Sequence, residues 1–214
     1  MKLIAERINK TLKGKTILNN ISLELESGKV YGFWGRNGSG KTMLFRALSG
    51  LMSIDSGIIR WNGQELHKDF TVLPSLGITL EHAGLYPGLT GMENLTYLAK
   101  IRNTIGKQEI MDAIRRVGLD PYDRRAFGKY SMGMKQRLVI AQAVMEHPDI
   151  IMLDEPTNGL DESGVEEIRH LIEEERSRGA LILLSSHNRD DMDILADDRY
   201  RLSDGSLITE GKET

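Results

Sequence analysis

A glycine-rich stretch that ends in lysine and threonine, GRNGSGKT, occupies residues 35–42 directly after the apolar stretch KVYGFWG. It fits the spacing G-x-x-x-x-G-K-[ST], in which glycines let backbone N–H groups converge on phosphate oxygens at the start of a helix. Lys41 can reach the β- and γ-phosphates of a nucleotide, and Thr42 can ligate Mg²⁺. A glycine-rich turn without a ligand is the alternative, but the flanking strand and helix patterns favour nucleotide binding. The predicted phosphate-binding residues are Gly35, Arg36, Asn37, Gly38, Ser39, Gly40, Lys41 and Thr42.

Two adjacent carboxylates, Asp154 and Glu155, follow the apolar stretch IIML at residues 150–153. Neighbouring side chains on a strand point to opposite faces of the sheet, so the two carboxylates can serve different roles. We expect Asp154 to hold Mg²⁺ through water and Glu155 to orient or deprotonate an attacking water molecule. Taken alone, the pair could also be a solvated acidic strand end.

A histidine, His187, closes the apolar stretch GALILLSSH at residues 179–187. A lone histidine is usually structural, but one at the same sheet edge as the carboxylates can contact a γ-phosphate or the attacking water. Together with the other motifs, the second role is favoured, and we predict a catalytic set of Lys41, Glu155 and His187.

The stretch YSMGMKQR at residues 130–137 predicts a second helix start that carries a glycine. Serine is favoured at helix starts, but a glycine inside a helix weakens it by roughly 0.5–1 kcal/mol relative to alanine. This cost indicates that a ligand needs the bare backbone at Gly133. The alternative is a capped helix in which Met132 and Met134 are core residues.

The apolar patterns predict how these motifs are positioned. KVYGFWG, DIIMLDEP and GALILLSSH resemble buried parallel strands whose polar ends share one sheet edge. The tracts TGMENLTYLAKIRN, KQEIMDAIRRVGL and MKQRLVIAQAVMEH have helical spacing, and residues 3–29 alternate as strands do. The predicted fold is α/β: a P-loop NTPase core with a mainly parallel sheet, an antiparallel β edge subdomain, and a helical subdomain at about residues 90–147. All of this forms one domain, 1–214.

Composition narrows the class of protein. The 214 residues include 28 Lys and Arg against 31 Asp and Glu, so the net charge is −3 and there is no basic block for nucleic acid. Without cysteines, the chain has no disulfides or thiolate metal sites, as is compatible with a reducing cytoplasm. No apolar stretch approaches the ~20 residues that cross a bilayer. We therefore expect no direct membrane insertion and no nucleic-acid partner.

Four motifs in this order resemble the P-loop, signature, Walker B with D-loop, and switch histidine of ATP-binding cassette (ABC) ATPases: GRNGSGKT, YSMGMKQR, IIMLDEPTNGLD and SSH. The resemblance implies ATP and Mg²⁺ as ligands. It also implies that Ser131 and Gly133 bind the γ-phosphate of ATP held by another subunit in a head-to-tail dimer, with Asp161 of the D-loop beside the site. The second subunit would be another copy of the chain or a related one.

Some residues depart from the family pattern. The signature is YSMGM rather than Leu-Ser-Gly-Gly-Gln, and with LEHAGLYPGLT it looks most like exporters related to bacitracin-resistance and lantibiotic-immunity transporters. Glu81 falls where the family has a glutamine near the metal, and a carboxylate there can ligate Mg²⁺ directly; a solvent-facing loop residue is the alternative. Leu12 falls where an aromatic residue usually stacks on adenine.

The resemblance implies an ATP-hydrolysing subunit that powers a separate transmembrane permease, and an exporter is favoured over an importer. Such a subunit would be cytoplasmic and peripheral on the inner face of the membrane, with the cargo chosen by the permease. The second function considered is a soluble single-cassette ABC ATPase in cofactor assembly or another non-transport role. A P-loop kinase is disfavoured because it has no use for a signature helix.

Overall fold

The computed structural model describes residues 1–79, 84–187 and 189–209, which fold as an α/β structure with two sheets. The strands of this part are β1 (Lys2–Leu12), β2 (Lys15–Glu26), β3 (Val30–Trp34), β4 (Ser56–Trp61), β5 (Gln64–Glu65), β6 (Leu76–Thr79), β7 (Ile150–Asp154), β8 (Leu181–Ser186), β9 (Asp198–Ser203) and β10 (Ser206–Thr209). Its helices are α1 (Lys41–Ser49), α2 (Gly91–Arg102), α3 (Lys107–Arg116), α4 (Met132–Val144), α5 (Glu162–Ser177) and α6 (Arg189–Leu195).

The larger sheet has the strand order β10-β9-β3-β8-β7-β6 among the described residues. Strands β9, β3, β8, β7 and β6 run parallel, and β10 pairs with β9 in the antiparallel direction. The three apolar stretches predicted as strands are β3, β7 and β8, and they are adjacent in the sheet. Their carboxyl ends meet at one edge, where Trp34 pairs with Ser186 and Asp154 pairs with Ser185.

The smaller sheet has the order β2-β1-β4-β5 and is antiparallel. It provides the antiparallel edge subdomain that the alternating pattern near the start of the chain predicts. Its apolar face packs on one side of the larger sheet and encloses α1. The start of β2 thereby reaches the loop between β3 and α1.

Helices α2, α3 and α4 all lie between β6 and β7 in the chain, as the three helical tracts predict. Thr90 caps α2 with a capping box that includes Glu93, and Ser131 caps α4. Gly118 follows α3 with a φ of 70°, a left-handed conformation that favours glycine. No helix in the described ranges is long and apolar enough to span a bilayer.

The larger sheet is buried on both faces, which fixes the strand ends that carry the site. Along β7, Ile151 and Leu153 pack into the core on the helical side, whereas Ile150 and Met152 pack into the core shared with α1 and the smaller sheet. This alternation places every residue of the strand between two packed layers, as expected for a parallel sheet covered on both faces.

Gly77 allows helix α4 to approach strand β6 closely. A Cβ atom at this position would overlap the backbone carbonyl of Ala143. We therefore expect Gly77→Ala to lower the free energy of unfolding by about 1–3 kcal/mol, the usual cost of overpacking. Urea denaturation measures this change. Gly88→Ala is the matched control, because a Cβ there has nothing within 4 Å; equal stability of the two variants would contradict the close packing of α4 on β6.

Candidate functional site

The loop between β3 and α1 has the backbone of a phosphate-binding site. Gly38 has a φ of 79° and open space around its Cα, and Gly40, with a φ of 109°, immediately precedes α1. Both conformations favour glycine and turn the backbone into a concave loop. The Lys41 ammonium group donates to the carbonyl oxygen of Gly35 at 2.8 Å, which holds this buried side chain along the loop.

The same loop fits the phosphates of a nucleotide. The buried hydroxyl of Ser39 has no hydrogen-bond partner in the described part of the chain, although a buried polar atom normally has one. The α1 dipole and the cation of Lys41 favour an anion at this point. From the other side, the N–H group of Gly205 in the β9–β10 turn donates to the Ser39 carbonyl at 3.2 Å.

Asp154 lies next to this loop at the end of β7. One carboxylate oxygen accepts a hydrogen bond from the Thr42 hydroxyl at 2.5 Å, and the other accepts from the Ser185 hydroxyl on β8. Its backbone N–H group donates to the Thr79 hydroxyl at 3.0 Å. The hydroxyl of Thr42 and the carboxylate of Asp154 are hard oxygen ligands of the kind that Mg²⁺ prefers.

Glu155 lies just beyond β7, with a φ of 50°. A left-handed conformation of a residue other than glycine costs about 1–3 kcal/mol and persists where its surroundings impose it. The carboxylate lies 3.6 Å from the Lys41 ammonium group and 2.6 Å from Nδ1 of His187. The predicted set of Lys41, Glu155 and His187 is therefore brought together.

We expected strand alternation to point the side chains of Asp154 and Glu155 to opposite faces of the sheet. This explanation is wrong. The strand ends at Asp154, and the left-handed turn at Glu155 redirects the second side chain. The turn is held by the Glu155 N–H group, which lies 3.1 Å from both the carbonyl and the hydroxyl oxygen of Ser185.

Ser131 and Gly133 form the first turn of α4. The Ser131 hydroxyl accepts from the Met134 N–H group at 3.2 Å, and a Cβ at Gly133 would lie 3.1 Å from the carbonyl oxygen of Gly159. Met132 is 65% exposed, so the alternative is wrong for this residue, whereas Met134 is partly buried and packs against the core as that alternative expects. In the described part of the chain, no hydrogen bond of Ser131 or Gly133 reaches the phosphate loop.

Asp161 caps helix α5 close to this turn. Its carboxylate accepts from the Gly164 N–H group at 3.2 Å and from Arg137 of α4 at 2.7 Å. The Gly164 bond and, after it, the Arg137 charge hold the pKa of Asp161 below its usual range. Ser131, Gly133 and Asp161 line one open cavity of about 590 Å³ on the surface.

Leu12, the predicted adenine contact, lies on the smaller sheet. Leu12 ends β1, is 37% exposed and pairs with Lys15 across the β1–β2 hairpin. Nearby on β2, the carbonyl oxygen of Ile17 would lie 3.0 Å from a Cβ at Gly40, so this hairpin borders the phosphate loop. Glu81, predicted as a metal ligand, lies outside the described residues.

Three residues of the site were not singled out by sequence reasoning: Thr79, Ser185 and Gln136. Thr79 and Ser185 contact Asp154, and the Gln136 amide donates to the Glu155 carbonyl at 3.1 Å. The two hydroxyls had a signal, because each follows apolar residues at the end of a strand. Gln136 lies within the stretch YSMGMKQR, but that stretch does not indicate that its amide contacts Glu155.

A family model for the ABC transporter matches residues 18–158, a range that includes the phosphate loop, the first turn of α4 and both carboxylates. The chain belongs to the ABC transporter family. Its predicted function as an ATPase subunit of an ABC transporter is confirmed at the level of this family, and the soluble alternative gains no support.

Relatives of this ABC protein cover nearly its whole length. The uncharacterized ABC transporter ATP-binding protein YybJ of Bacillus subtilis is 44% identical over 96% of this chain and 94% of its own. The bacitracin transport ATP-binding protein BcrA of Enterococcus faecalis is 38% identical over 96% of this chain and 67% of its own. The lantibiotic transport ATP-binding protein SrtF of Streptococcus pyogenes is 36% identical over 96% and 88%, respectively.

Solved structures confirm the predicted fold class. The dimeric structure of MJ0796, a bacterial ABC transporter cassette, has a TM-score of 0.87 and 22% identity, and the match covers 99% of both chains. The same score is found for MJ0796 in a post-hydrolysis state bound to ADP and Pi, at 20% identity.

Proposed function

We propose that this chain hydrolyses ATP at the edge where β3, β7 and β8 end, and that hydrolysis powers a separate membrane permease. The observation that carries the proposal is the convergence of Lys41, Thr42, Asp154, Glu155 and His187 beside a phosphate loop. The Ser39 hydroxyl of this loop has no partner among the described residues. ATP hydrolysis by the purified chain tests it, with an expected dependence on Mg²⁺.

Each residue has a role that follows from its position. The residues from Gly35 to Thr42 would bind the phosphates, and Thr42 and Asp154 would hold Mg²⁺, which supplies positive charge beside them when bound. Glu81 remains our proposed additional metal ligand. Glu155 accepts a proton from the attacking water, and His187, 2.6 Å from its carboxylate, orients that carboxylate and the γ-phosphate.

Two copies of the chain would together form two complete ATP sites, each with residues from both copies. The cavity that Ser131 and Gly133 line has no residue of the chain's own phosphate loop in its described lining, which supports a contact with the nucleotide of another subunit. The α4 dipole there favours a phosphate, and a side chain at Gly133 would obstruct its approach. Asp161, in the same cavity, would lie beside the shared nucleotide. A head-to-tail homodimer is sufficient, because one chain carries both halves of the site.

The membrane part of the transporter is a separate subunit. Binding to this permease would hold the chain at the cytoplasmic face of the membrane. ATP-driven closure of the dimer, followed by hydrolysis, would move the permease. The names of relatives such as BcrA and SrtF indicate peptide antibiotics as the cargo class, and we propose export. Co-purification with a polytopic membrane protein tests the partner. Loss of growth of a deletion strain on bacitracin-like or lanthionine peptides tests the cargo.

Leu12 predicts weak discrimination between nucleotide bases. Stacking of a base on an aromatic ring contributes roughly 1–3 kcal/mol in single-stranded nucleic-acid binding, and leucine has no flat face to match it. Because the phosphate contacts ignore the base, we expect GTP to support hydrolysis within about tenfold of ATP, equivalent to ~1.4 kcal/mol. Leu12→Tyr should tighten ATP binding.

Competition titrations with ATP and GTP measure this effect. Leu51→Tyr is the matched control. This exposed leucine follows the C-terminal end of α1, whereas the phosphate loop precedes the N-terminal end. Strong ATP selectivity in the wild type, with no gain in Leu12→Tyr, would show that another residue contacts adenine.

A further inference from the structure

The first two turns of α4 contact the turn that carries Glu155. This turn, defined as residues 155–161, has contacts with α4 that include three made by Gly133, Gln136 and Arg137. Gly133 packs against the carbonyl of Gly159, and Arg137 donates to Asp161 at 2.7 Å. The third contact is made by Gln136, whose amide donates to the Glu155 carbonyl at 3.1 Å and lies 3.5 Å from that of Pro156.

The Gln136 contact is placed where it can control the direction of the Glu155 side chain. The Glu155 N–H group is bonded to Ser185 of β8, and the Glu155 carbonyl is bonded to Gln136. The two peptide groups that flank the Cα atom are therefore both fixed, one by the sheet and one by α4. A φ of 50° is a conformation that residues other than glycine rarely adopt, and these two bonds hold Glu155 in it, where its carboxylate contacts Lys41 and His187.

We propose that Gln136 is a positioning residue for hydrolysis, which holds the turn at Glu155 and links it to the helix start at Ser131. This inference rests on the proposed function, in which Ser131 and Gly133 contact the nucleotide of the other subunit. The same helix then contacts the other subunit's nucleotide through its first turn and the backbone carbonyl of its own catalytic glutamate through the next. Engagement of one site thus aligns the general base of the other.

The test variant is Gln136→Met, which keeps a side chain of similar length but removes the amide donor. We expect kcat for ATP to fall about tenfold, the effect of losing one hydrogen bond of ordinary strength. The dissociation constant for ATP should stay within about twofold, since no phosphate contact changes. Gln142→Met is the matched control, because Gln142 lies on the same helix but borders the groove next to β6.

A second measurement does not depend on activity. Hydrogen exchange of the nucleotide-free chain should show faster exchange of the 155–161 amides in Gln136→Met than in the wild type or in Gln142→Met. Exchange of the amides of α4 itself should be unchanged, which separates loss of the contact from loosening of the whole helix.

The outcomes distinguish this inference from the proposed function. A wild type that does not hydrolyse ATP would overturn the proposed function, and the catalytic role of Gln136 with it. An active wild type, with kcat in Gln136→Met equal to that in Gln142→Met, would overturn only the positioning role. Weaker ATP binding with unchanged kcat, or equal exchange of the 155–161 amides in all three proteins, would also overturn it.

Discussion

Glu155→Gln is expected to lower steady-state ATP turnover by about 10²–10⁴-fold, the usual contribution of a general base, and to retain ATP binding. The amide cannot accept the proton of the attacking water. The substitution removes the ion pair between Glu155 and Lys41 at 3.6 Å, but the Lys41 bond to the Gly35 carbonyl does not involve Glu155 and still holds this side chain along the phosphate loop. The variant should therefore accumulate as an ATP-bound dimer, which size-exclusion chromatography with ATP and Mg²⁺ detects.

The control for this result is Glu24→Gln. Glu24 is an exposed glutamate on β2 that pairs with Lys2, so its charge can be removed without touching the site. We expect wild-type turnover and no stable dimer from this variant. If Glu155→Gln turned over ATP near the wild-type rate, Glu155 would not be the general base. Its carboxylate would then serve only as a structural contact of His187.

Mixing two inactive variants, Ser131→Arg and Lys41→Ala, should restore part of the ATPase activity. Ser131→Arg places a long cation at the helix start and should block hydrolysis with little change in nucleotide affinity of the monomer. Lys41→Ala removes the cation of the phosphate loop and should weaken nucleotide binding itself. A mixed dimer has one site with both lesions and one with neither, so the intact site should hydrolyse ATP.

Loss of the α4 cap must be separated from loss of the contact between subunits. Replacing an N-cap residue costs about 1 kcal/mol of stability, and Ser131 is the N-cap of α4. Thr90→Arg removes the equivalent cap of α2 and should stay active. Absence of recovery in a sample shown to contain mixed dimers would count against sites shared between subunits.

The patterns that predicted the fold were those with strong local signals. β3, β7 and β8 are continuous apolar stretches that end in glycine or polar residues, and α2 to α4 have clear helical spacing. Because parallel strands in one layer bring their carboxyl ends together, the convergence of Lys41, Asp154, Glu155 and His187 followed from sequence. The roles given to these residues remain proposals.

The contacts that shape the site could not be predicted in the same way. The conformation of Glu155 depends on Ser185 and Gln136, which lie 30 and 19 residues away in the chain. Their partners are set by how β7, β8 and α4 pack, and no local pattern carries that information. For the same reason, strand alternation gave the wrong account of how Asp154 and Glu155 diverge.

The order of strands in the larger sheet has a consequence for synthesis of the protein. Strand β3, which leads into the phosphate loop, has β8 and β9 as its two neighbours, so both partners of residues 30–34 come from residues 181–203. During translation, the loop leaves the ribosome long before either partner exists. A nascent or prematurely ended chain therefore cannot hold β3 in its sheet, and the residues of the proposed ATP site come together only after His187 has also been made.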